Sequence, residues 1–230
     1  MPQPMQRGLS DDPVPPPFFI FLLTREGVGV NQHTPINSFA RLTKTCYLPF
    51  GYLLQKSNRW NLSEGKMQKE LVTIPEIKLV GICVRTSNKQ ELDKMKGNIF
   101  PCVQKYFHQG LAEKILNRKR PGTTFCAYTD YETDYNGEYT YFIGEEVSSF
   151  ETALPEGFEN LMIPKQQYAK FTTGPAPMPD VVVNAWREIW EMSSKQLGGE
   201  RAYKTDFEIY DERAADHQKI ILDLYIGISF

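Results

Sequence analysis

The residues with chemistry to offer concentrate in "YKTDFEIYDE", residues 203–212. Strand alternation puts Asp206, Glu208 and Tyr210 on one face and Phe207 and Ile209 on the other. A carboxylate on such a face has two possible uses. Facing water, it is ordinary polar surface. Enclosed by aromatic rings, it is costly to bury without a partner, and a cationic guest removes that cost while the rings add cation–π attraction. Candidate rings are Tyr139, Tyr141, Tyr168 and Tyr210 on strands, Trp186 and Trp190 four apart on a helix, and Tyr106 and Phe107 on another. Each has a plainer alternative: cross-strand pairing for the tyrosines, core packing for the helical aromatics. Tyr225, in "DLYIGIS", is expected to pair across the sheet, and Asp206, Asp211 and Glu212 to be surface.

Other chemistries find no support in the chain. The four cysteines (Cys46, Cys83, Cys102, Cys126) are far apart and form no CxxC, so buried free thiols are expected rather than a zinc site or disulfide framework. His33, His108 and His217 are isolated, and there is no GxSxG elbow or glycine-rich phosphate loop. Asp130, Glu132 and Asp134 alternate within "DYETDYNGEY". They lack the glycine and terminal glutamate of a calcium loop, and a solvated hairpin tip is expected there. No metal and no cofactor is expected.

Composition sets wider bounds. In 230 residues, 41% are hydrophobic and 13% aromatic, enough for a sizeable core. The net charge of −2 gives no basic field for nucleic acid, and direct DNA binding is not expected. The greasy run "FFIFLL", residues 18–23, is far shorter than the roughly 20 residues that span a bilayer, and it follows "DDPVPPP" rather than a basic segment. The expectation is a cytoplasmic protein without membrane association.

The elements that would position these residues begin near Met67. Residues 1–66 hold eight of the sixteen prolines and show no sustained period, so they read as an irregular N-terminal extension without a helix-turn-helix. "SEGK" directly precedes Met67, and its purine-rich codons suit a ribosome-binding site, so translation is also expected to be able to start at Met67. Residues 67–230 carry nineteen Lys/Arg against twenty-four Asp/Glu. "KELVTIPEIKLVGICVRT" (69–86) predicts a strand pair, or one strand interrupted at Pro75. A helix is predicted over about 98–116, with Ile99, Val103, Phe107 and Leu111 as its apolar stripe. Residues 122–147 predict a hairpin turning at "YNGE". Further strands are predicted within 158–174, a second helix within 175–199, and two last strands after it. The order β-α-β-β, given twice, predicts an α+β fold of antiparallel strands with two helices. No sequence repeat between the halves is evident.

Four stretches together, "YTDYETDYNGEYTYFIGEEV", "IPKQQYAKFTTGPAPMPDVVVNAWREIW", "LGGERAYKTDFEIYDERA" and "DLYIGIS", resemble the GyrI-like effector-binding domains, also called AraC-type or bacterial transcription-activator effector-binding domains. The match runs over 67–230. It implies duplicated β-α-β-β units forming a curved antiparallel sheet with a groove between its two helices. That groove would bind a small organic ligand, cationic and aromatic, with Glu208 as its charge and Tyr139, Tyr141, Tyr168, Tyr210, Trp186 and Phe107 around it. The expected role is a stand-alone sensor or sequestering protein linked to transcription regulation or drug response. Two alternatives accompany the resemblance. One is a hydrolase of reactive small electrophiles, with Glu208 as general base and Tyr168 as proton donor. The other is a protein partner, such as a topoisomerase inhibited by an acidic face.

Overall fold

The computed structural model describes residues 67–93, 95–150 and 153–230; the extension proposed for 1–66 lies outside them. Nine strands and four short helices follow in chain order: β1 (Gln68–Ile74), β2 (Ile77–Ser87), α1 (Asn88–Glu91), α2 (Ile99–His108), β3 (Thr124–Thr129), β4 (Glu138–Glu146), β5 (Glu159–Ile163), β6 (Gln166–Thr172), α3 (Asp180–Trp190), α4 (Ser194–Leu197), β7 (Glu200–Arg201), β8 (Thr205–Tyr210) and β9 (Asp223–Ser229). The predicted helix over 98–116 ends early. Gly110 turns left-handed at φ 58°, and only a 3₁₀ turn, Leu111–Lys114, follows it. Likewise α3 stops at Trp190, and α4 restarts behind a capping box of Ser193 and Gln196 before Gly198 closes it at φ 91°. None of the described helices is long and apolar enough to cross a membrane.

All pairings are antiparallel, in the order β1-β6-β9-β8-β3-β4-β2-β5, with β7 added on β9. The order is symmetric. One unit, β1-β2-α2-β3-β4, and its counterpart, β5-β6-α3-β8-β9, meet at the β3/β8 pair in the middle. Each unit lends its first strand to the other: β1 pairs with β6, and β5 pairs with β2.

The segment 69–86 is therefore two strands that do not pair with each other. Ile74 faces Gln166 and Ile77 faces Ile163, so one register runs through both pairs, with Pro75-Glu76 opposite Pro164-Lys165. Proline cannot donate to a ladder, and both breaks fall where the chain leaves one end of the sheet for the other. Because β1 lies at one end and β2 near the other, two linking residues suffice only if the sheet curls and brings its ends together. The shared Ile-Pro-charged triplets (Ile74-Pro75-Glu76, Ile163-Pro164-Lys165) are a trace of the internal repeat that reading along the chain does not reveal. Curling also draws backbones close. Gly81 and Gly144 stand directly opposite, and a Cβ on either would lie 2.0 or 2.2 Å from a carbonyl oxygen of the facing strand.

Side chains alternate between two cores. One lies between helices and sheet and includes Ile99, Cys102, Val103 and Tyr106 from α2, and Val182, Ala185, Trp186 and Ile189 from α3. The other lies on the opposite face and comes from strands alone, Leu79, Phe125, Phe142, Tyr168, Phe207 and Tyr225 among them. Every residue of β8 from Thr205 to Ile209 is buried, because both of its faces are covered.

Candidate functional site

Glu208 points from the middle of the sheet toward α3 and has no exposed surface. Three neutral groups donate to it. The Trp186 Nε1–H lies 2.5 Å from Oε1, the Tyr128 hydroxyl 3.1 Å from the same oxygen, and the Tyr210 hydroxyl 2.6 Å from Oε2. No Lys or Arg of the described residues pairs with it. Burial pushes its carboxyl above the usual carboxylate range, and the bonds from Tyr210, Trp186 and Tyr128 offset only part of that rise.

Strand register assembles the aromatic wall. In β3, Tyr128 faces Asp206 across one ladder and Tyr141 across the other, so the three share a face with Glu208. The Tyr128 ring stands edge-on to Trp186 at 5.4 Å and to Tyr141 at 5.5 Å, and is tilted against Tyr139 at 5.9 Å. The Tyr139 hydroxyl donates to Asn88 Oδ1 at 3.1 Å, and that of Tyr141 interacts with the Cys126 thiol. Burial, with the Glu208 charge behind it, raises the Tyr128 and Tyr210 phenols well above their ordinary value, so both remain protonated donors.

A second carboxylate sits two residues away, and it corrects the expectation that Asp206 is surface. Asp206 is wholly buried. It accepts from Arg201 at 2.6 Å, from the Tyr131 hydroxyl at 3.0 Å and from the Gly227 N–H at 2.8 Å. The local chain explains this. β7 and β8 pair with the same strand, β9, while residues 202–204 bulge between them with Tyr203 at φ 47°. The bulge brings Arg201 beside Asp206, whose carboxylate takes up the strand N–H left open at Gly227. The Arg201 guanidinium lies 4.7 Å from the Tyr203 ring and 5.8 Å from that of Trp186. Thus Trp186 touches Glu208 directly and lies beside Arg201, the partner of Asp206. Asp206 has a guanidinium of the chain's own, and Glu208 has none among the described residues.

Of the residues singled out in the sequence, Glu208, Tyr210 and Trp186 meet directly, and Tyr139 and Tyr141 stand behind Tyr128. Tyr168 does not join them. It lies on the opposite face, edge-on to Phe207 at 5.2 Å and to Tyr225 at 6.0 Å. Its hydroxyl is therefore separated from Glu208 by the sheet, and the pair cannot act as base and acid on one substrate. Tyr225 stacks on Phe207 at 4.5 Å on that same far face. Phe107 is half-buried on α2, edge-on to Tyr106 at 5.2 Å. Asp211 caps a short 3₁₀ turn and pairs with Arg213, and Glu212 is exposed.

Tyr128, Tyr131 and Arg201 were not anticipated. Tyr128 could have been found by pairing "TFCAYT" with "TDFEIY" in register, but Tyr131 lies beyond that ladder and nothing in "GGER" marks Arg201. Among the described residues no three His, Cys, Asp or Glu side chains converge to hold a metal, and Cys83, Cys102 and Cys126 are free thiols.

Comparison with known proteins agrees with this architecture. Residues 70–228 match the model of the Cass2 family, integron-associated effector binding proteins. A putative transcriptional regulator protein, YobU of Bacillus subtilis (strain 168), is 28% identical over 152 residues, covering 66% of this chain and 92% of its own. The integron cassette protein VCH_CASS2 from the mobile metagenome of Vibrio cholerae superposes with a TM-score of 0.58 at 22% identity, covering 72% of this chain and 99% of its own. SAV2435 bound to tetraphenylphosphonium gives 0.57 at 16% identity, over 70% and 94%. These two likenesses show the α+β fold, and the family match shows the kin: the chain belongs to the Cass2 family of integron-associated effector binding proteins.

Proposed function

We propose that the chain is a receptor for a hydrophobic aromatic cation, with Glu208 as the counter-charge and Tyr128, Tyr139, Tyr141 and Trp186 as its aromatic surroundings. One observation carries the reading. Glu208 is fully buried, held by three neutral donors, and among the described residues has no cation such as its neighbour Asp206 has in Arg201. Hydrogen bonds orient a carboxylate but leave its charge uncompensated, and a cation entering the site gains what folding alone does not supply. The tetraphenylphosphonium held by a protein of the same fold supports a bulky monocation as ligand class. In the cell the protein would sense or sequester such compounds.

The test is calorimetric titration of the full chain with tetraphenylphosphonium, wild type against Glu208→Gln. Equal affinities would remove Glu208 from the mechanism. The hydrolase reading gains nothing from the geometry: Tyr168 is on the wrong face, and both Glu208 oxygens are already occupied by donors rather than poised over space for a water.

A further inference from the structure

A curled sheet that does not close keeps two edges, and each offers a row of backbone N–H and C=O groups to another strand. Here they are β1 and β5. Among the described residues β1 pairs only with β6, and β5 only with β2. The two edges differ. β1 opens on Gln68-Lys69-Glu70, and its charges are tied to neighbours: Lys69 Nζ donates to the Gln196 carbonyl at 2.5 Å, and Glu70 accepts from Lys170 at 2.9 Å. Charge along an edge keeps other strands off. β5, Glu159-Asn160-Leu161-Met162-Ile163, has one acid at its start, no lysine and no proline. Glu159, Asn160 and Met162 are exposed, Met162 by 53%.

The surface beside β5 is apolar too. Asn160 faces Val80 across the ladder, and Val80 borders a cleft with Leu116, Phe150 and Leu154. Met162 faces Lys78, whose Nζ stands 6.0 Å over the Phe150 ring. Leu116 is 59% exposed and Leu154 37%, so with Met162 three large apolar side chains stand in solvent beside this edge.

We infer that β5 is a dimer contact, and that it pairs with β5 of a second copy of this chain. Register and charge both suit a copy. With Leu161 on a twofold axis, the antiparallel pair sets Asn160 opposite Met162 and Glu159 opposite Ile163, so no charge meets its like. Just past the ladder, Lys165 of each copy comes diagonal to Glu159 of the other, an opposite-charge pair made twice. The two Met162 side chains become diagonal neighbours on the helix side, where the apolar surfaces of both copies meet. The contact leaves Glu208 clear, since β3, β4 and β2 separate β8 from β5. It does not rest on the reading of Glu208.

Analytical ultracentrifugation of the full chain tests the contact. The wild type is expected to rise with concentration from the 26.5 kDa of one chain toward twice that mass. Met162→Lys sets two lysines diagonally across the axis, and Lys165→Glu turns both attractive pairs repulsive. Each is expected to raise the dissociation constant by about tenfold or more. Adding Glu159→Lys to Lys165→Glu reverses both members of the pair and is expected to restore the dimer, a rescue that lost stability alone does not predict. A wild type with the mass of one chain at every concentration would overturn the contact. So would a dimer untouched by Met162→Lys and Lys165→Glu, which places the contact elsewhere. Amide exchange on the wild type needs no variant to fold: the β5 amides that point away from β2 should exchange more slowly as concentration rises. Amides already protected at high dilution would assign the edge to the chain's own residues 1–66, and amides fast at every concentration would leave it open; either refutes the dimer.

Discussion

Glu208→Gln removes a charge while keeping the shape of the side chain, so its effects on folding and on cation binding are expected to have opposite signs. Gln can satisfy the same neighbours. Its Oε1 accepts from Tyr128 and Trp186, and its amide N–H faces the Tyr210 hydroxyl, which rotates to accept. What disappears is the buried charge. Burial raises the folded-state pKa of Glu208 above the unfolded value near 4.5, so the folded protein binds this proton more tightly than the unfolded chain does. Stability is therefore undiminished below the unfolded value, falls as pH rises toward the folded one, and is fully reduced above it. The Gln variant has no such fall. It should match wild type at about pH 4 and exceed it by about 1–3 kcal/mol at about pH 8, the scale of an uncompensated buried polar group. At this chain length each kcal/mol moves the melting point by about 2–4 °C. Urea denaturation across the pH range gives the stabilities. Calorimetry with tetraphenylphosphonium should meanwhile show a loss of about 2–5 kcal/mol in binding, as for removal of one partner of a buried charge pair. A Gln variant less stable than wild type at the high pH, or a stability difference that does not change with pH, would refute the reasoning.

Three more expectations follow from the surroundings of this residue. Asp206→Asn breaks a buried ion pair and leaves the Arg201 guanidinium uncompensated, so urea denaturation should show a loss of about 3–5 kcal/mol, against the gain at Glu208. Gly144→Ala forces a methyl to 2.2 Å from the Val80 carbonyl oxygen in the middle of the β2–β4 ladder; the expected cost is about 3 kcal/mol or more, read as a lowered melting temperature with normal binding per folded molecule. Tyr168→Phe should leave tetraphenylphosphonium affinity unchanged and alter stability by less than about 1 kcal/mol, since its hydroxyl is on the far face of the sheet.

Much of the architecture could be read along the chain, because strand and helix periods are local properties. "TDFEIY" alternates, and the helices over 99–108 and 180–190 show their apolar stripes. Boundaries were harder: nothing local says that the chain turns left-handed at Gly110, and the predicted helix ran on to 116. The relation between 69–86 and 158–174 was also hidden. Each looks like one bent strand or a hairpin, and only the other segment, about ninety residues away, shows that the two form one exchanged ribbon.

By itself the sequence determined that Glu208 and Tyr210 share a face, that an α+β fold carries them, and that Trp186 rides a helical stripe. These follow from periodicity and family resemblance, which need only neighbours in the chain. Whether that face was wet could not follow, since burial depends on what packs against a strand from elsewhere. Tertiary structure decided it, and decided differently for chemically similar residues. Asp206 and Glu208 are both wholly buried, yet the bulge at 202–204 delivers Arg201 to one carboxylate, while the other receives only the neutral N–H of Trp186 and two tyrosine hydroxyls. Tyr141 and Tyr168 are both buried strand tyrosines, but strand register sends one to the aromatic wall beside Glu208 and the other through to the far face. Which carboxylate is left wanting a cation is a property of register and packing, and no count of residues along the chain contains it.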